Sequence, residues 1–286
     1  MAARTLTTKT PAKLNLRLKV TGRRSDGYHE LVSLMVPVDL CDVLEFQVIP
    51  EKVELAWEGL PVPVDENNLV RRAAGLFFDG SGVKGGVFVR VTKNIPVAAG
   101  MGGGSSDAAA TLLSLNHLWS RPLPPETLRE LALQLGADVP FFLEPRPCIA
   151  RGVGENLEPV ERWPELWYLI VTPRFQVSTA WVYGNLRLGL TSNEYDHIKE
   201  WLGKERPVIS QFLENDLESV TSAKFPILDR IKRTLLDAGA EGALMTGSGP
   251  TVFGVFGSRK QAEQARDKIV PNDFGMVFLA AGWKAN

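Results

Sequence analysis

The segment "IPVAAGMGGGSSDAAATLL", residues 95–113, constrains the fold more than any other part of the chain. Its four glycines, Gly100, Gly102, Gly103 and Gly104, let backbone N–H groups approach an anion closely. Ser105, Ser106 and Asp107 are residue types that start helices, and the alanines and leucines after them suit a packed helix face. The segment therefore predicts an anion-binding loop at the N-terminus of a helix over about residues 106–118.

The glycine loop does not match the most familiar nucleotide-binding patterns. No Gly-Lys-Ser/Thr follows it, as a Walker A loop requires, and its spacing does not fit a Rossmann fingerprint. The chain also lacks the lysine strand and catalytic loop of protein kinases. A generic glycine pattern is more often a simple turn, but two serines and an aspartate at the start of the helix favour phosphate binding.

Composition narrows the class of protein. The chain has 286 residues, a length typical of two domains, with 44% hydrophobic residues, 23% charged residues and a net charge of −1. We therefore expect no nucleic-acid or membrane partner. Cys41 and Cys148 are too few for a disulfide framework, and no cysteine or histidine cluster indicates zinc. With no signal-peptide pattern and no membrane-spanning apolar run, the sequence predicts a cytoplasmic protein.

Predicted strands occur in groups separated by helices, which favours an α+β fold. One helix is predicted to begin after Asn67 or Asn68, and another to end at Gly136. A third, over residues 226–240, has five apolar residues at a spacing of 3.6: Ile227, Leu228, Ile231, Leu235 and Leu236. The least compact stretch, residues 144–166, suggests a domain boundary, which we place between residues 158 and 159.

Three motifs resemble, in order, those of the galactokinase–homoserine kinase–mevalonate kinase–phosphomevalonate kinase superfamily. They are "PAKLNLRLKV" near the N-terminus, "PVAAGMGGGSSDAAATL" in the middle and "MTGSGPTVFGVF" near the C-terminus. Together they span nearly the whole chain. The resemblance implies a two-domain small-molecule kinase fold, with an N-terminal domain like domain 2 of ribosomal protein S5 and a C-terminal ferredoxin-like α/β sandwich.

Four further segments, "GRRSDGYHELVSLMVPVDLCD", "GADVPFFL", "RGVGENLEPV" and "ENDLE", resemble one branch of this superfamily. The implied reaction is ATP-dependent phosphorylation of the 2-hydroxyl of 4-diphosphocytidyl-2-C-methyl-D-erythritol, in the non-mevalonate isoprenoid precursor pathway. The implied cofactors are ATP and Mg²⁺. Composition and periodicity alone do not indicate this substrate.

The resemblance implies two catalytic residues, Lys13 and Asp138. By local sequence, Asp138 is a turn residue after a helix, and Lys13 is a solvated strand lysine. The match to the family motif instead makes Asp138 the acceptor of the hydroxyl proton, or the group that orients the hydroxyl. It places Lys13 near that acid, where an ammonium favours the ionised carboxylate and lowers the pKa of the alcohol.

The resemblance also implies a substrate site. Asn15, on the same strand face as Lys13, is expected to hydrogen-bond the substrate. Tyr28 is expected to stack on cytosine, and His29 to bind the edge of the pyrimidine. Tyr183 is the candidate for the second stacking face, in competition with Phe175 and Trp181. The third loop is expected to close the phosphate and substrate region, unless it is only a tight turn between strands; its candidates are Gly247, Ser248, Gly249 and Thr251.

On the ATP side, the glycine loop is expected to hold the β- and γ-phosphates. Its predicted contacts are Gly100, Gly102, Gly103, Gly104, Ser105 and Ser106, one serine hydroxyl also meeting Mg²⁺. Lys93 and Asn68 are predicted adenosine contacts, or otherwise ordinary strand-end and helix-cap residues. No dedicated protein metal site is expected, because Mg²⁺ keeps waters and phosphate ligands.

Two alternative functions remain open at this level. One is another kinase of the superfamily, of the homoserine or mevalonate type, which would keep the ATP site and change the roles of Tyr28 and His29. The other is a non-catalytic nucleotide- or RNA-binding module, because the N-terminal fold also occurs in ribosomal proteins. The near-neutral charge and the presence of Lys13 and Asp138 favour a kinase. We expect a monomer or weak homodimer.

Overall fold

A computed structural model describes residues 4–62, 65–187, 194–204 and 208–284. The chain forms two compact units that alternate along the sequence. Unit 1 contains the chain up to residue 12, residues 41–97 and residues 102–145. Unit 2 contains residues 13–40, residues 98–101 and the chain from residue 146 onward.

The elements follow in the order that the grouping of strands and helices predicts. The strands are β1 (Thr5–Arg23), β2 (His29–Ile49), β3 (Val53–Gly59), β4 (Gly86–Lys93), β5 (Cys148–Gly152), β6 (Asn156–Pro159), β7 (Trp167–Thr172), β8 (Glu214–Asn215), β9 (Gly242–Met245), β10 (Val252–Phe256) and β11 (Met276–Ala281). The helices are α1 (Leu69–Ser81), α2 (Gly103–Leu118), α3 (Pro125–Leu135), α4 (Thr179–Gly184), α5 (Glu194–Leu202), α6 (Asp216–Lys224), α7 (Ile227–Asp237) and α8 (Arg259–Ile269). Short 3-10 helices cover Pro140–Leu143, Ile209–Gln211 and Val270–Asn272.

Unit 1 is a sheet with helices packed on it. The second half of β2 runs antiparallel to β4, from Val43 opposite Thr92 to Ile49 opposite Gly86, and β3 runs parallel to β4. Helices α1, α2 and α3 pack on one another, and the 3-10 helix Pro140–Leu143 packs on α2 and α3. Buried side chains such as Phe46, Phe77 and Leu112 form the interior and hold α2 in place.

Unit 2 contains two sheets. The first half of β2 pairs antiparallel with β5, β5 pairs with β6, and β8 pairs in parallel with β1 at Arg17 and Leu18. The second sheet is antiparallel, in the order β11-β7-β10-β9. Helices α7 and α8 cover this sheet through a core that includes Leu169, Val171, Leu228, Ile231, Leu235 and Phe256.

Several local predictions are confirmed. Asn68 is the N-cap of α1, where its side chain accepts hydrogen bonds from the N–H groups of Val70 and Arg71. Gly136 follows the last residue of α3 as its C-cap. On α7, four of the five predicted apolar positions are at least partly buried, but Leu236 is 46% exposed, because it lies at the edge of the apolar face.

The stretch 144–166, predicted to be the least compact, contains strands β5 and β6, which pair from Cys148 opposite Pro159 to Arg151 opposite Asn156. The prediction of a loose segment there is wrong, because backbone pairing orders a sequence rich in proline and charge. The functional division between residues 158 and 159 stays a prediction.

Candidate active site

The phosphate loop ends at the N-terminus of α2, which begins three residues earlier than predicted. Gly102 is the N-cap, in a left-handed conformation with φ of 70°, and it provides no side-chain cap. The prediction that Ser105, Ser106 or Asp107 caps the helix is therefore wrong. The first N–H groups of a helix have no acceptor within it, so this first turn needs acceptors from outside. Such a terminus suits an anion.

Two neighbouring glycines in this turn differ in what the protein requires of them. A Cβ on Gly103 would lie 2.9 Å from Ile95 Cγ2 and 3.1 Å from Lys93 Nζ, so packing demands glycine there. A Cβ on Gly104 would meet only Leu69 Cδ1, at 3.5 Å, an ordinary contact distance. Glycine inside a helix costs about 0.5–1 kcal/mol relative to alanine, and at position 104 the packing gives no reason for that cost.

Under the start of α2 lies a buried charge cluster, which we call the Lys93 cluster: Lys93, Asp42 and Asp107. The Lys93 ammonium donates to Asp107 Oδ2 at 2.7 Å and to Asp42 Oδ2. Asp42 Oδ1 accepts from the N–H groups of Asn94 at 2.6 Å and Ile95 at 2.8 Å. The cluster thus joins the segment that enters the phosphate loop to the second turn of α2.

The side chains of the Lys93 cluster are between 0% and 3% exposed, so its charges interact at low dielectric. Burial raises the pKa of Asp107 to about 6, against the opposing effects of Lys93 and of a 2.7 Å hydrogen bond from Thr10 Oγ1. Burial by itself lowers the pKa of Lys93, but the two carboxylates outweigh it, so the pKa lies above its usual value. Asp107 therefore contributes to the buried Lys93 cluster and does not cap α2.

In unit 2, parts of all three family motifs come together. The Lys13 N–H donates to Met101 O at 2.9 Å, which joins the first motif to the phosphate loop. A Cβ on Gly100, whose φ is 78°, would lie 2.3 Å from Thr246 O in the third motif. The Asn15 N–H donates to Thr246 Oγ1 at 2.9 Å. Segments as far apart in sequence as those of Asn15 and Thr246 therefore share one small region.

Lys13 and Asn15 lie on one face of β1, as their spacing predicts, and both are buried. Lys13 Nζ donates to Asn15 Oδ1 at 2.6 Å, and Asn15 Nδ2 donates to Ser33 Oγ at 2.8 Å. Ser33 Oγ in turn donates to Arg17 O at 2.7 Å. The Asn15 amide is thus engaged with the protein on both sides, which favours an orienting role over the predicted substrate contact.

Asp138 lies in unit 1, in the turn between α3 and the 3-10 helix Pro140–Leu143. The Val139 N–H donates to Gly136 O at 3.1 Å, which closes this turn. Asp138 itself is half-buried, whereas Val139, Pro140 and Phe141 are buried. Because the 3-10 helix packs on α2, the fold holds this carboxylate on the element next to the helix that ends the phosphate loop.

The predicted base-recognition residues form an aromatic pair in unit 2. The rings of His29 and Tyr183 stack with centroids 5.0 Å apart and an interplanar angle of 25°. Tyr28 is 63% exposed, a large apolar surface available to a ligand. Burial and the charge of Arg23 lower the pKa of His29, so its imidazole is neutral at pH 7 and has one donor and one acceptor nitrogen.

The two competitors of Tyr183 have other contacts. Phe175 stacks on Phe225 with centroids 4.4 Å apart, and Trp181 lies under Lys224 Nζ at 4.1 Å. Each of the three candidate rings therefore has an aromatic or cationic partner within the protein, and the choice among Tyr183, Phe175 and Trp181 stays a prediction.

The third loop, which connects β9 to β10, is held from several sides. Asn215 Nδ2 donates to Met245 O at 2.7 Å and to Gly247 O at 2.8 Å, and Ser248 Oγ lies 2.8 Å from Thr179 Oγ1. Gly249 is buried within the loop. Thr251 is fully buried and its hydroxyl pairs with that of Thr172 at 2.9 Å, so its predicted substrate contact gains no support.

The predicted adenosine contacts also have partners within the protein. The Asn68 side chain caps α1, and the Lys93 ammonium lies in the Lys93 cluster. The Lys93 carbonyl oxygen accepts from the Leu60 N–H at 2.9 Å. The structure therefore favours the alternative that the sequence left open for both residues, a helix cap and a strand-end residue.

Sequence reasoning missed four polar residues of the site: Asp42, Ser33, Thr246 and Asn215. Each lies in a segment that was noted for its resemblance, but the partners in these bonds are 18 to 231 residues away in sequence. Unusual buried polar positions in otherwise apolar strands, such as Ser33 in "LVSLMV", are the signal that could have found them.

Comparisons with known proteins identify the family of the chain. The model of the GHMP kinases N terminal domain matches residues 68–144, and that of the GHMP kinases C terminal domain matches residues 199–274. The chain belongs to the GHMP kinase family. Within it, the chain is 44% identical to the 4-diphosphocytidyl-2-C-methyl-D-erythritol kinase of Syntrophotalea carbinolica, over 96% of this chain and 95% of that one. It is 46% identical to the protein of the same name from Geobacter metallireducens, over 97% and 99%.

Solved structures give the same result for the fold. A 4-(cytidine 5'-diphospho)-2C-methyl-D-erythritol kinase matches with a TM-score of 0.80 and 37% identity, over 98% of this chain and 100% of that one. The homoserine kinase of Cytophaga hutchinsonii matches with a TM-score of 0.75 but only 19% identity, over 98% and 94%, and so supports the fold alone. The predicted two-domain GHMP kinase fold is confirmed.

Proposed function

We propose that this protein transfers the γ-phosphoryl group of ATP to the 2-hydroxyl of 4-diphosphocytidyl-2-C-methyl-D-erythritol, an intermediate of non-mevalonate isoprenoid biosynthesis. The observation that carries this proposal is the full-length similarity, at 42–46% identity, to kinases named for that substrate. The meeting of the three family motifs in unit 2 supports it.

Phosphoryl transfer requires mainly positioning and charge stabilisation from the protein. Asp138 accepts the proton of the 2-hydroxyl as that oxygen attacks the γ-phosphorus, while the bond from this phosphorus to the bridging oxygen of the β-phosphate breaks and ADP leaves. Lys13 stabilises the negative charge that develops on the attacking oxygen. Support for these roles comes from the motif match, from the half-buried turn that carries Asp138 and from the fixed position of the Lys13 ammonium.

The β- and γ-phosphates bind to the N–H groups at the start of α2. The glycine N-cap Gly102 and the exposed Gly104 support this proposal, because neither places a side chain at the start of the helix, where an anion is favoured. The remaining contacts of the loop come from Gly100, Gly103, Ser105 and Ser106.

Mg²⁺ accompanies the ATP. Ser105 is partly exposed in the first turn of α2 and Ser106 is 2% exposed, so Ser105 is the better placed hydroxyl ligand. A single serine hydroxyl fits an ion that is held mostly by phosphate and water. Within the described ranges, no three His, Cys, Asp or Glu side chains are grouped as a metal site. When bound, the ion neutralises phosphate charge.

The cytosine base binds between aromatic rings, with Tyr28 on one face and Tyr183 on the other. The neutral His29 then gives up its stacking on Tyr183 and hydrogen-bonds the edge of the pyrimidine. Stacking of this kind contributes about 1–3 kcal/mol per base. The third loop, with Gly247, Ser248 and Gly249, closes the substrate region.

The location and assembly of the protein are also part of the proposal. We place it in the cytoplasm, as a monomer or weak homodimer without nucleic-acid partners. Across the described part of the chain, no helix is both long and apolar enough to cross a bilayer. From the resemblance to the kinase family, we assign ATP binding to an N-terminal domain at residues 1–158 and substrate binding to a C-terminal domain at residues 159–286.

The proposal is tested by incubating the purified protein with Mg-ATP and 4-diphosphocytidyl-2-C-methyl-D-erythritol, with phosphorus NMR of the product. A new phosphomonoester on the 2-hydroxyl is expected, with homoserine and mevalonate as alternative acceptors. Phosphorylation of one of those instead would contradict the proposed substrate. RNA binding that weakens as the salt concentration rises, without ATP turnover, would contradict the proposed kinase activity.

Asp138→Asn tests the proposed proton acceptor. The variant is expected to fold and to bind both substrates while kcat falls about 10²- to 10⁴-fold, because an amide cannot accept the proton. Asp237→Asn, at the end of α7, serves as a matched control with unchanged kcat. Turnover near that of the parent in Asp138→Asn would remove Asp138 from the mechanism.

A further inference from the structure

We infer that Ser33 and Asn15 form a positioning pair that fixes the ammonium of Lys13, with Ser33 determining which way the Asn15 amide points. This inference rests on the proposed role of Lys13. It adds Ser33, a residue of β2, to the residues on which the rate of phosphoryl transfer depends.

The first step is the hydrogen-bond capacity of Ser33. A hydroxyl has one hydrogen to donate, and the geometry directs it to Arg17 O at 2.7 Å. Ser33 Oγ can then only accept from its other neighbour, the Asn15 side chain, at 2.8 Å. Ser33 is 1% exposed, so water does not compete for these bonds.

The second step is the orientation of the amide. Because Ser33 can only accept, the NH₂ end of Asn15 must face it and the oxygen must face Lys13, where it accepts from Nζ at 2.6 Å. In the reverse orientation, the amide NH₂ would face an ammonium and the amide oxygen would face an oxygen with no hydrogen to give. Thr246 Oγ1 adds a second contact to Asn15 Oδ1, at 3.3 Å.

The third step is the effect on Lys13. A lysine side chain has a long, flexible stem, and a reacting group must be placed to within a fraction of an ångström. Asn15 fixes one direction of the ammonium without contributing any charge to the site. Ser33 acts on Lys13 only through Asn15, so it is a positioning residue.

The main test compares Ser33→Ala with Ser222→Ala. Ser222, in α6 of the same unit, has a buried hydroxyl with no hydrogen-bond partner among the residues that the structure describes. We expect Ser33→Ala to lower kcat about 10- to 10²-fold with KM for ATP changed less than twofold, and Ser222→Ala to change neither. Ser33→Thr, which keeps the hydroxyl, should recover most of the lost kcat, and thermal unfolding monitors stability throughout.

A second variant, Asn15→Asp, separates position from charge. It keeps an oxygen facing Lys13 but adds a negative charge, so the ammonium stays in place and is neutralised. We expect kcat to fall at least as far as in Ser33→Ala. Unchanged kcat in Ser33→Ala, or the same small change as in Ser222→Ala, would overturn the inference and leave Ser33 a structural residue.

Lys13→Met distinguishes failure of the inference from failure of the proposed function. If Lys13→Met keeps the parent kcat, Lys13 is not part of the mechanism and both ideas are wrong. If Lys13→Met loses turnover and Ser33→Ala does not, only the positioning role is wrong. Loss of turnover in both Lys13→Met and Ser33→Ala, with recovery in Ser33→Thr, supports the positioning pair of Ser33 and Asn15.

Discussion

The two buried lysines, Lys93 in unit 1 and Lys13 in unit 2, have very different partners. Lys93 is 3% exposed and contacts two carboxylates, whereas Lys13 is 4% exposed and donates to the neutral amide of Asn15. The two carboxylates bring negative charge to Lys93, whereas the Asn15 amide fixes a direction of the Lys13 ammonium and brings no charge of its own.

This difference indicates different uses of the same residue type. A buried cluster of opposite charges that bind one another offers little to a substrate, but it joins segments that must keep their relative position, here the entrance of the phosphate loop and α2. The Asn15 amide orients the Lys13 ammonium without adding a negative charge beside it, and an oriented ammonium can stabilise a developing anion. Lys93 is therefore expected to affect stability, and Lys13 turnover.

The largest expected effect follows removal of the Lys93 ammonium. Lys93→Met leaves two carboxylates buried without their cation, and breaking a buried pair in this way costs about 3–5 kcal/mol of the free energy of unfolding. Urea unfolding measures this loss. Adding Asp107→Asn should recover part of it, because one of the two stranded charges is then removed.

Lys13→Met is the matched variant for the comparison. Its main effect is expected on kcat, and its loss of stability should be smaller than that of Lys93→Met. Equal losses of stability in the two variants, or a larger loss of kcat in refolded Lys93→Met than in Lys13→Met, would contradict the division of roles.

The sequence predicted the two lysines unequally well. The motif of β1 identified Lys13 by resemblance, and the alternation of the strand correctly placed Asn15 on the same face. Lys93 was predicted to contact adenosine or to be an ordinary strand-end residue, and Asp107 to start a helix, because nothing local reveals that Asp42, 51 residues before Lys93, accepts from its ammonium. Helix ends with local causes, such as the Asn68 cap, were predictable, whereas buried polar partners depend on strand pairing.

The free energy of unfolding should also depend on pH through the Lys93 cluster. Burial raises the pKa of Asp107 from 3.8 to about 6, so the folded state binds this proton more readily than the unfolded state does. Stability from Asp107 is therefore gained as the pH falls from about 6 to about 4, and lost as it rises. At 1.36 kcal/mol per pKa unit, the difference amounts to about 3 kcal/mol.

Asp107→Asn provides the reference for that measurement, because its amide does not titrate. Urea unfolding of both proteins between pH 4 and pH 7.5 should show the stability of the parent rising relative to the variant as the pH falls. A constant difference over this range would mean that Asp107 stays ionised throughout, and that the cluster is neutralised more completely than its burial suggests.

The smallest expected effect concerns Gly104, in the first turn of α2. This residue tests whether that turn serves only the fold or also binds the phosphates. Because packing leaves room for a Cβ at Gly104, Gly104→Ala should raise the free energy of unfolding by about 0.5–1 kcal/mol. The same methyl group should raise KM for ATP, because it stands where the phosphates approach the helix. Gly80→Ala in α1, where a Cβ also meets only a leucine methyl, at 3.6 Å, is the control that gains stability without changing KM. If Gly104→Ala leaves KM for ATP unchanged, the phosphates do not approach α2 at this residue, and the start of the helix supports the fold alone, as the Lys93 cluster does.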